Sequence, residues 1–153
     1  MAWAHTRAGE AQPALRALGQ AHVALDATDG APTPSWAYWV NREELEVMDA
    51  RVFTELRRPL RAVPLLQNVL GRYEATHARE VALYRSWLAV ALADANEPEQ
   101  AAEEARRVID TSGDLSSERT AERARMVLRR LKEYEGVPEA REVLADYGHL
   151  LLA

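Results

Sequence analysis

Three alanines stand 39 residues apart in this chain: Ala62, Ala101 and Ala140. The interval recurs beside them, in Ala50, Ala89 and Leu128 and in Phe53, Leu92 and Leu131. Pro59-Leu60-Arg61-Ala62 and Pro98-Glu99-Gln100-Ala101 run in step with it. Self-similarity at such a period, on a background of helix-forming residues, requires helical hairpins that lean on one another, because one hairpin alone leaves its apolar face in water. The expected fold is therefore all-α: a right-handed solenoid of stacked antiparallel helical hairpins with about seven or eight helices, in one domain spanning 1–153. Its units fall at about 1–28, 36–74, 77–111 and 116–151.

Local signals place the helices. Gly9 ends a short first helix over 2–8, since glycine commonly stands just past a helix end. Residues 11–27 form the second. The stretch 29–35 holds two prolines and a glycine and reads as a loop. Asn41, followed three residues later by Glu44, is a capping-box-like start for a helix over 42–57. Pro59 opens a partner running to about Tyr73, in which Pro64 should kink the helix or delay its start. Thr76 caps a helix over 77–95, residues 98–111 follow, and Ser116 or Ser117 caps a helix to about Glu135. A last helix covers 138–151. Small residues fit where backbones cross closely, which is the role expected of Ala50, Ala89, Ala62 and Ala101. Setting Ala14 in register with Ala62 puts Met1 in mid-helix, so the chain is expected to be a piece of something longer, with Met1 supplied by a late start or by expression.

The pattern of a small residue in mid helix A, a bulky one three later, a turn, and then alanine in helix B resembles the tetratricopeptide repeat. The third unit, from Trp87 through Ala89, Leu92, Asn96 and Ala101 to Ala105, carries it best. The period of 39 exceeds the 34 residues of that repeat, which implies helices about a turn longer and a looser superhelix. The fourth unit departs, with Leu128 where a small residue is expected. Residues 36 to about 147, from Trp36-Ala37-Tyr38-Trp39 through Leu56 to Ala62, the third unit and Ser117-Glu118-Arg119, are also similar to the C-terminal region of actinobacterial XRE-type helix-turn-helix regulators. The Ala-, Arg-, Leu- and Glu-rich composition suits a high-GC source. The resemblance implies a cytoplasmic regulatory module for protein or peptide interaction, sensing or dimerising, without its DNA-binding domain.

Composition narrows the function. The formal charge is −5 and the pI about 5.4, so the chain as a whole lacks the basic face that phosphate backbones require, and direct nucleic-acid binding is not expected. The chain has no cysteine, which excludes disulfides and thiolate chemistry. No apolar run approaches a membrane span. His5, His22, His77 and His149 lack partners at metal-ligand spacing, and no phosphate loop or nucleophile elbow is present. Glu43-Glu44 and Glu103-Glu104 sit on adjacent helical positions and point apart. An enzyme is not expected, nor a metal or other cofactor.

The residues expected to face a groove are Glu44, Val47, Arg51 and Glu55 in the second unit, Ser86, Val90 and Asp94 in the third, and Arg125, Arg129 and Lys132 in the fourth. Such a groove, acidic at one end and basic at the other, could hold an extended peptide; the bland alternative is a solvated polar face. Trp36, Tyr38 and Trp39 form either an aromatic ligand patch or a flap between the first two hairpins; large aromatics usually pack, which favours the flap. Trp87 is expected in the core. The basic pairs Arg57-Arg58, Arg106-Arg107 and Arg129-Arg130 are expected to form i,i+4 ion pairs. Two rivals remain: a homodimeric scaffold paired through Leu144, Tyr147, Leu150, Leu151 and Leu152, and a small-ligand-binding domain with a deep internal pocket.

Overall fold

The structure is a computed structural model that describes residues 1–28, 41–72, 78–111 and 117–152. The described residues form eight α-helices and no strand: α1 (Ala2–Arg7), α2 (Ala11–Ala27), α3 (Arg42–Glu55), α4 (Pro59–Arg72), α5 (Ala78–Asp94), α6 (Pro98–Thr111), α7 (Glu118–Leu131) and α8 (Pro138–Tyr147). Short 3-10 turns follow α7 at Lys132–Tyr134 and α8 at Gly148–Leu151. The expected last helix thus stops four residues early. Among the described residues no helix is long and apolar enough to cross a membrane.

The helices pack in a regular order. Each odd-numbered helix touches its even successor and the next odd helix, and the even helices α2, α4 and α6 touch the odd helix that follows. The nine residues on the 39-residue interval are all buried: Ala50, Ala89 and Leu128; Phe53, Leu92 and Leu131; Ala62, Ala101 and Ala140. All nine belong to one apolar cluster running from α3 to α8. A smaller cluster of Ala14, Leu18 and Val52, with Trp3 and Met48 against it, joins α1 and α2 to α3. Trp87 lies in the main core, as its spacing implied.

The same register governs the turns. Gly9, Arg57 and Asn96 occupy equivalent places after α1, α3 and α5, and all three have positive φ (76°, 54° and 63°). In each, the left-handed residue donates its N–H to the carbonyl three residues back, and the next residue donates to the carbonyl five back: Gly9 to Thr6 and Glu10 to His5, Arg57 to Thr54 and Arg58 to Phe53, Asn96 to Ala93 and Glu97 to Leu92. This is the Schellman closure, which satisfies carbonyls that the helix end leaves unpaired. The fourth turn differs. Glu135 stays right-handed at φ −57°, α7 runs on into its 3-10 turn, and Tyr134 donates its hydroxyl to Ala93 O at 2.5 Å, tying the turn to the end of α5.

An arginine in the left-handed region carries strain of roughly 1–2 kcal/mol, whereas glycine adopts it freely at a cost in unfolded-state entropy. Arg57→Gly is therefore expected to stabilise the protein by about 0.5–1 kcal/mol. The check is a urea midpoint that rises with an unchanged slope; a fall would show that the Arg57 side chain contributes more than its backbone costs.

Asn41 caps α3 as its sequence implied, its Oδ1 accepting from Glu44 N at 2.8 Å. Pro64 does not delay α4, which starts at Pro59 and continues through it. Ser117 stands at the N-cap of α7 without a side-chain cap bond. Thr76, and the loop with Trp36, Tyr38 and Trp39, lie outside the described residues. The basic pairs are only partly local. Arg107 pairs with Glu103 and Glu104 on its own helix, but Arg106 reaches Asp146 and Glu142 on α8, and Arg130 reaches Asp94 on α5 at 2.6 Å. Leu144, Tyr147, Leu150 and Leu151 fold against the core, leaving Leu152 as the exposed member of that group.

Candidate functional site

Equivalent residues of successive units converge on one face. Glu55, Asp94 and Glu133 stand at intervals of 39 and line a single cavity of about 280 Å³. Its other walls are Thr54, Arg57, Val90, Met126, Arg129 and Arg130, so α3, α5 and α7 each contribute. Three carboxylates meet three guanidiniums there. Asp94 accepts from Arg130 Nη2 at 2.6 Å and lies 3.7 Å from Arg57 Nη2, while Arg130 Nη1 reaches Glu133 at 2.8 Å. Arg129 leans the other way, to Glu122 at 3.2 Å.

A second cavity, of about 300 Å³, adjoins the first and shares Glu55 and Met126 with it. It lies at the α1 end of the same face, between α1, α3, α5 and α7. Its walls add Trp3, Arg7, Arg51, Leu83, Trp87, Arg119 and Arg123. Among the described residues, four arginines here meet one carboxylate. The Arg51 guanidinium carbon sits 3.3 Å from the centre of the Trp3 ring and 5.3 Å from that of Trp87, and the Arg123 carbon is 5.8 Å from Trp87. These are cation–π distances. The Arg123 side chain is only 11% exposed. It donates through Nε to Ser86 Oγ at 3.0 Å, and its Nη1 lies 3.6 Å from Glu55 Oε1. Burial, opposed by Glu55 and reinforced by the charges of Arg51 and Arg119, lowers the Arg123 guanidinium to about 10. Arg51 is lowered too, by burial first and then by Arg119, with Glu55 opposing and Arg7 adding. Among the described residues, Arg51 Nε and Arg123 Nη2 are buried without a hydrogen-bond partner.

The expected groove residues divide accordingly. Glu55, Asp94 and Arg129 line the first cavity, and Arg51 and Glu55 the second. Ser86 is fully buried behind Arg123, donating to Leu83 O at 2.6 Å, so it supports the wall and does not form it. Arg125 lines neither cavity; it pairs with Glu118 at 2.6 Å and Glu122 at 3.1 Å. Glu44 lines a separate, mostly apolar cavity with Met1, Trp3, Leu18 and Met48. Trp36 and Trp39 fall outside the described residues.

Arg123, Arg119, Arg7 and Trp3 escaped the sequence reading. One signal for Arg123 was available. Leu45, Tyr84 and Arg123 share a register position, and the first two are buried, so an arginine in that column should have stood out. Asp49, elsewhere on α3, meets His22 Nε2 at 2.6 Å; burial holds its carboxyl above the ordinary value although the His22 bond opposes it.

Chemically the face offers fixed charge, two indole rings and hydrogen-bond donors. Among the described residues no group of three or more His, Asp or Glu side chains is placed to hold a metal ion. No protein-family model, no curated protein and no solved structure matches the chain.

Proposed function

We propose that the chain is a right-handed, tetratricopeptide-like solenoid that serves as the protein- or peptide-interaction module of an XRE-type transcriptional regulator, without its DNA-binding domain. The trough along α3, α5 and α7 is its working face. The observation that carries this reading is the convergence of Glu55, Asp94 and Glu133, one from each of three successive units, on one cavity. Repeat arrays bind along faces built in this way, each unit adding the same position to an extended surface. The alternating charges suit an extended segment whose own charges alternate, since complementary charge fixes register more than it adds affinity. A signal would pass by population shift, the partner favouring one curvature or one dimer geometry of the array.

Calorimetric titration of a diverse peptide set tests the trough. A binder is expected to lose at least tenfold in affinity in Arg129→Glu, which reverses an exposed charge in the first cavity, and to be indifferent to Arg106→Gln on the α6–α8 face. A set without binders, or binders that ignore Arg129→Glu, would remove the proposal. The regulator assignment has its own test in the genomic sequence upstream of residue 1: an encoded helix-turn-helix supports it, and an unrelated gene counts against it.

A further inference from the structure

We propose that the cavity between α1, α3, α5 and α7 is a binding site for a phosphate-type dianion, held by Arg51 and Arg123 from within and by Arg7 and Arg119 at its mouth. The proposal deepens the trough reading by naming an anchor charge at one end, and rests on it for the course of the rest of the ligand.

The charge count comes first. Among the described residues the first cavity has three cations and three anions in its walls, whereas the second has Arg7, Arg51, Arg119 and Arg123 against Glu55. The nearby Glu122 does not close the difference, because Arg125 and Arg129 already hold it. Packing like charges into a partly dry cavity is unfavourable unless something offsets it. In an acidic chain of net charge −5, the surplus is local and does not follow from composition.

Hydrogen bonding points the same way. Buried polar atoms in proteins are almost always paired, yet Arg51 Nε and Arg123 Nη2 have no partner among the described residues. Both belong to guanidiniums whose positions are fixed by other contacts: Arg51 by the Trp3 and Trp87 rings, Arg123 by Ser86 Oγ and the Trp87 ring. An indole face holds a cation without occupying its N–H groups, so both guanidiniums are fixed in the cavity wall with hydrogen-bonding capacity unmet. Guanidiniums present N–H groups in a planar fork that matches oxyanions.

The class of anion follows from the count. A single carboxylate would leave two of the three surplus charges unmet. A phosphate monoester carries about −1.5 to −2 at neutral pH and three acceptor oxygens, enough to meet the guanidiniums of Arg51 and Arg123 and one of the arginines at the mouth. A cavity of about 300 Å³ admits the group with a small substituent.

The test is calorimetric titration of the whole chain with phenyl phosphate, inorganic phosphate and benzoate at constant ionic strength. Phenyl phosphate is expected to bind, several-fold more tightly at about pH 7.5 than at about pH 5.5, because the monoester loses its second proton near pH 6 while the arginines stay charged. Arg123→Met and the exposed variant Arg119→Gln should each weaken binding, the first by tenfold or more and the second by a few-fold; Arg106→Gln should not. Inorganic phosphate binding as tightly as the ester supports the site as one for free anion, and weaker binding supports a phosphorylated ligand. No binding of either phosphate, benzoate binding as tightly as the ester, or binding unchanged in both arginine variants would overturn it. Peptides that bind and respond to Arg129→Glu while neither phosphate binds would leave the trough standing and remove only the anchor.

Discussion

Leu128→Ala is expected to destabilise the protein by about 3–5 kcal/mol, the range measured for emptying a fully buried leucine site in a rigid core. The repeat makes the opposite suggestion. Leu128 shares its register with Ala50 and Ala89, so alanine looks like a return to pattern. Packing explains the leucine. Ala50 and Ala89 lie on α3 and α5, each of which has a further odd-numbered helix against it, and a small side chain lets the backbones approach. Helix α7 has no such successor among the described residues, so no crossing requires a small side chain at 128, and Leu128 is wholly buried in the main cluster. Urea denaturation checks the expectation. A loss below about 1 kcal/mol would mean that α7 closes onto the smaller side chain without leaving a void.

Arg123→Met is expected to act in the other direction, stabilising the protein by about 1–3 kcal/mol, as replacements of buried charges by apolar side chains of similar size often do. Holding Arg123 down at about 10, well below the ordinary guanidinium value, corresponds to roughly 3 kcal/mol of penalty on the charged form, at about 1.4 kcal/mol per pH unit. Because the folded value lies below the unfolded one, that penalty is present at every pH below about 10. It is relieved only as pH climbs from there towards the unfolded value, so the gain should be flat from about pH 5 to 9. Glu55 loses a neighbour but is partly exposed and can be hydrated, and Ser86 keeps its bond to Leu83 O. A variant less stable than the parent would show that the Ser86 and Glu55 contacts outweigh desolvation. A stable variant that no longer binds phenyl phosphate would identify Arg123 as a residue retained at the expense of the fold, a common condition at binding sites.

The helices were legible because their signals are local. Pro59 and Pro98 at first helical positions, Asn41 at an N-cap and Gly9 at a helix end each act through the backbone within a few residues, and observed boundaries differ from expected ones by a few residues at most. The end of the chain was less legible. Residues 148–151 continue the helical pattern, yet they form a 3-10 turn packed against α7 and α8. Contact with those helices, absent from any local signal, set their conformation.

The site was legible by register but not by orientation. Glu55 and Asp94, one period apart, were both placed on the face they share, but the fourth-unit reading chose Lys132 and missed Glu133 beside it. Ser86 and Arg125, also assigned to it, are turned away, one into the core and the other into a pairing with Glu118 and Glu122. Trp87 read as core and is core, yet its ring also backs the arginine cavity.

The amino-acid sequence alone determined that this chain is helical, where its helices start, and which residues are buried at the repeat interval, because helix propensity, capping and hydrophobic periodicity operate over a turn or two of backbone. Only the tertiary structure brought Arg7 of α1, Arg51 of α3 and Arg119 and Arg123 of α7 around two indole rings. They are as much as 116 residues apart in the chain (7 to 123), and Coulomb forces, unlike helix signals, depend on distance through space.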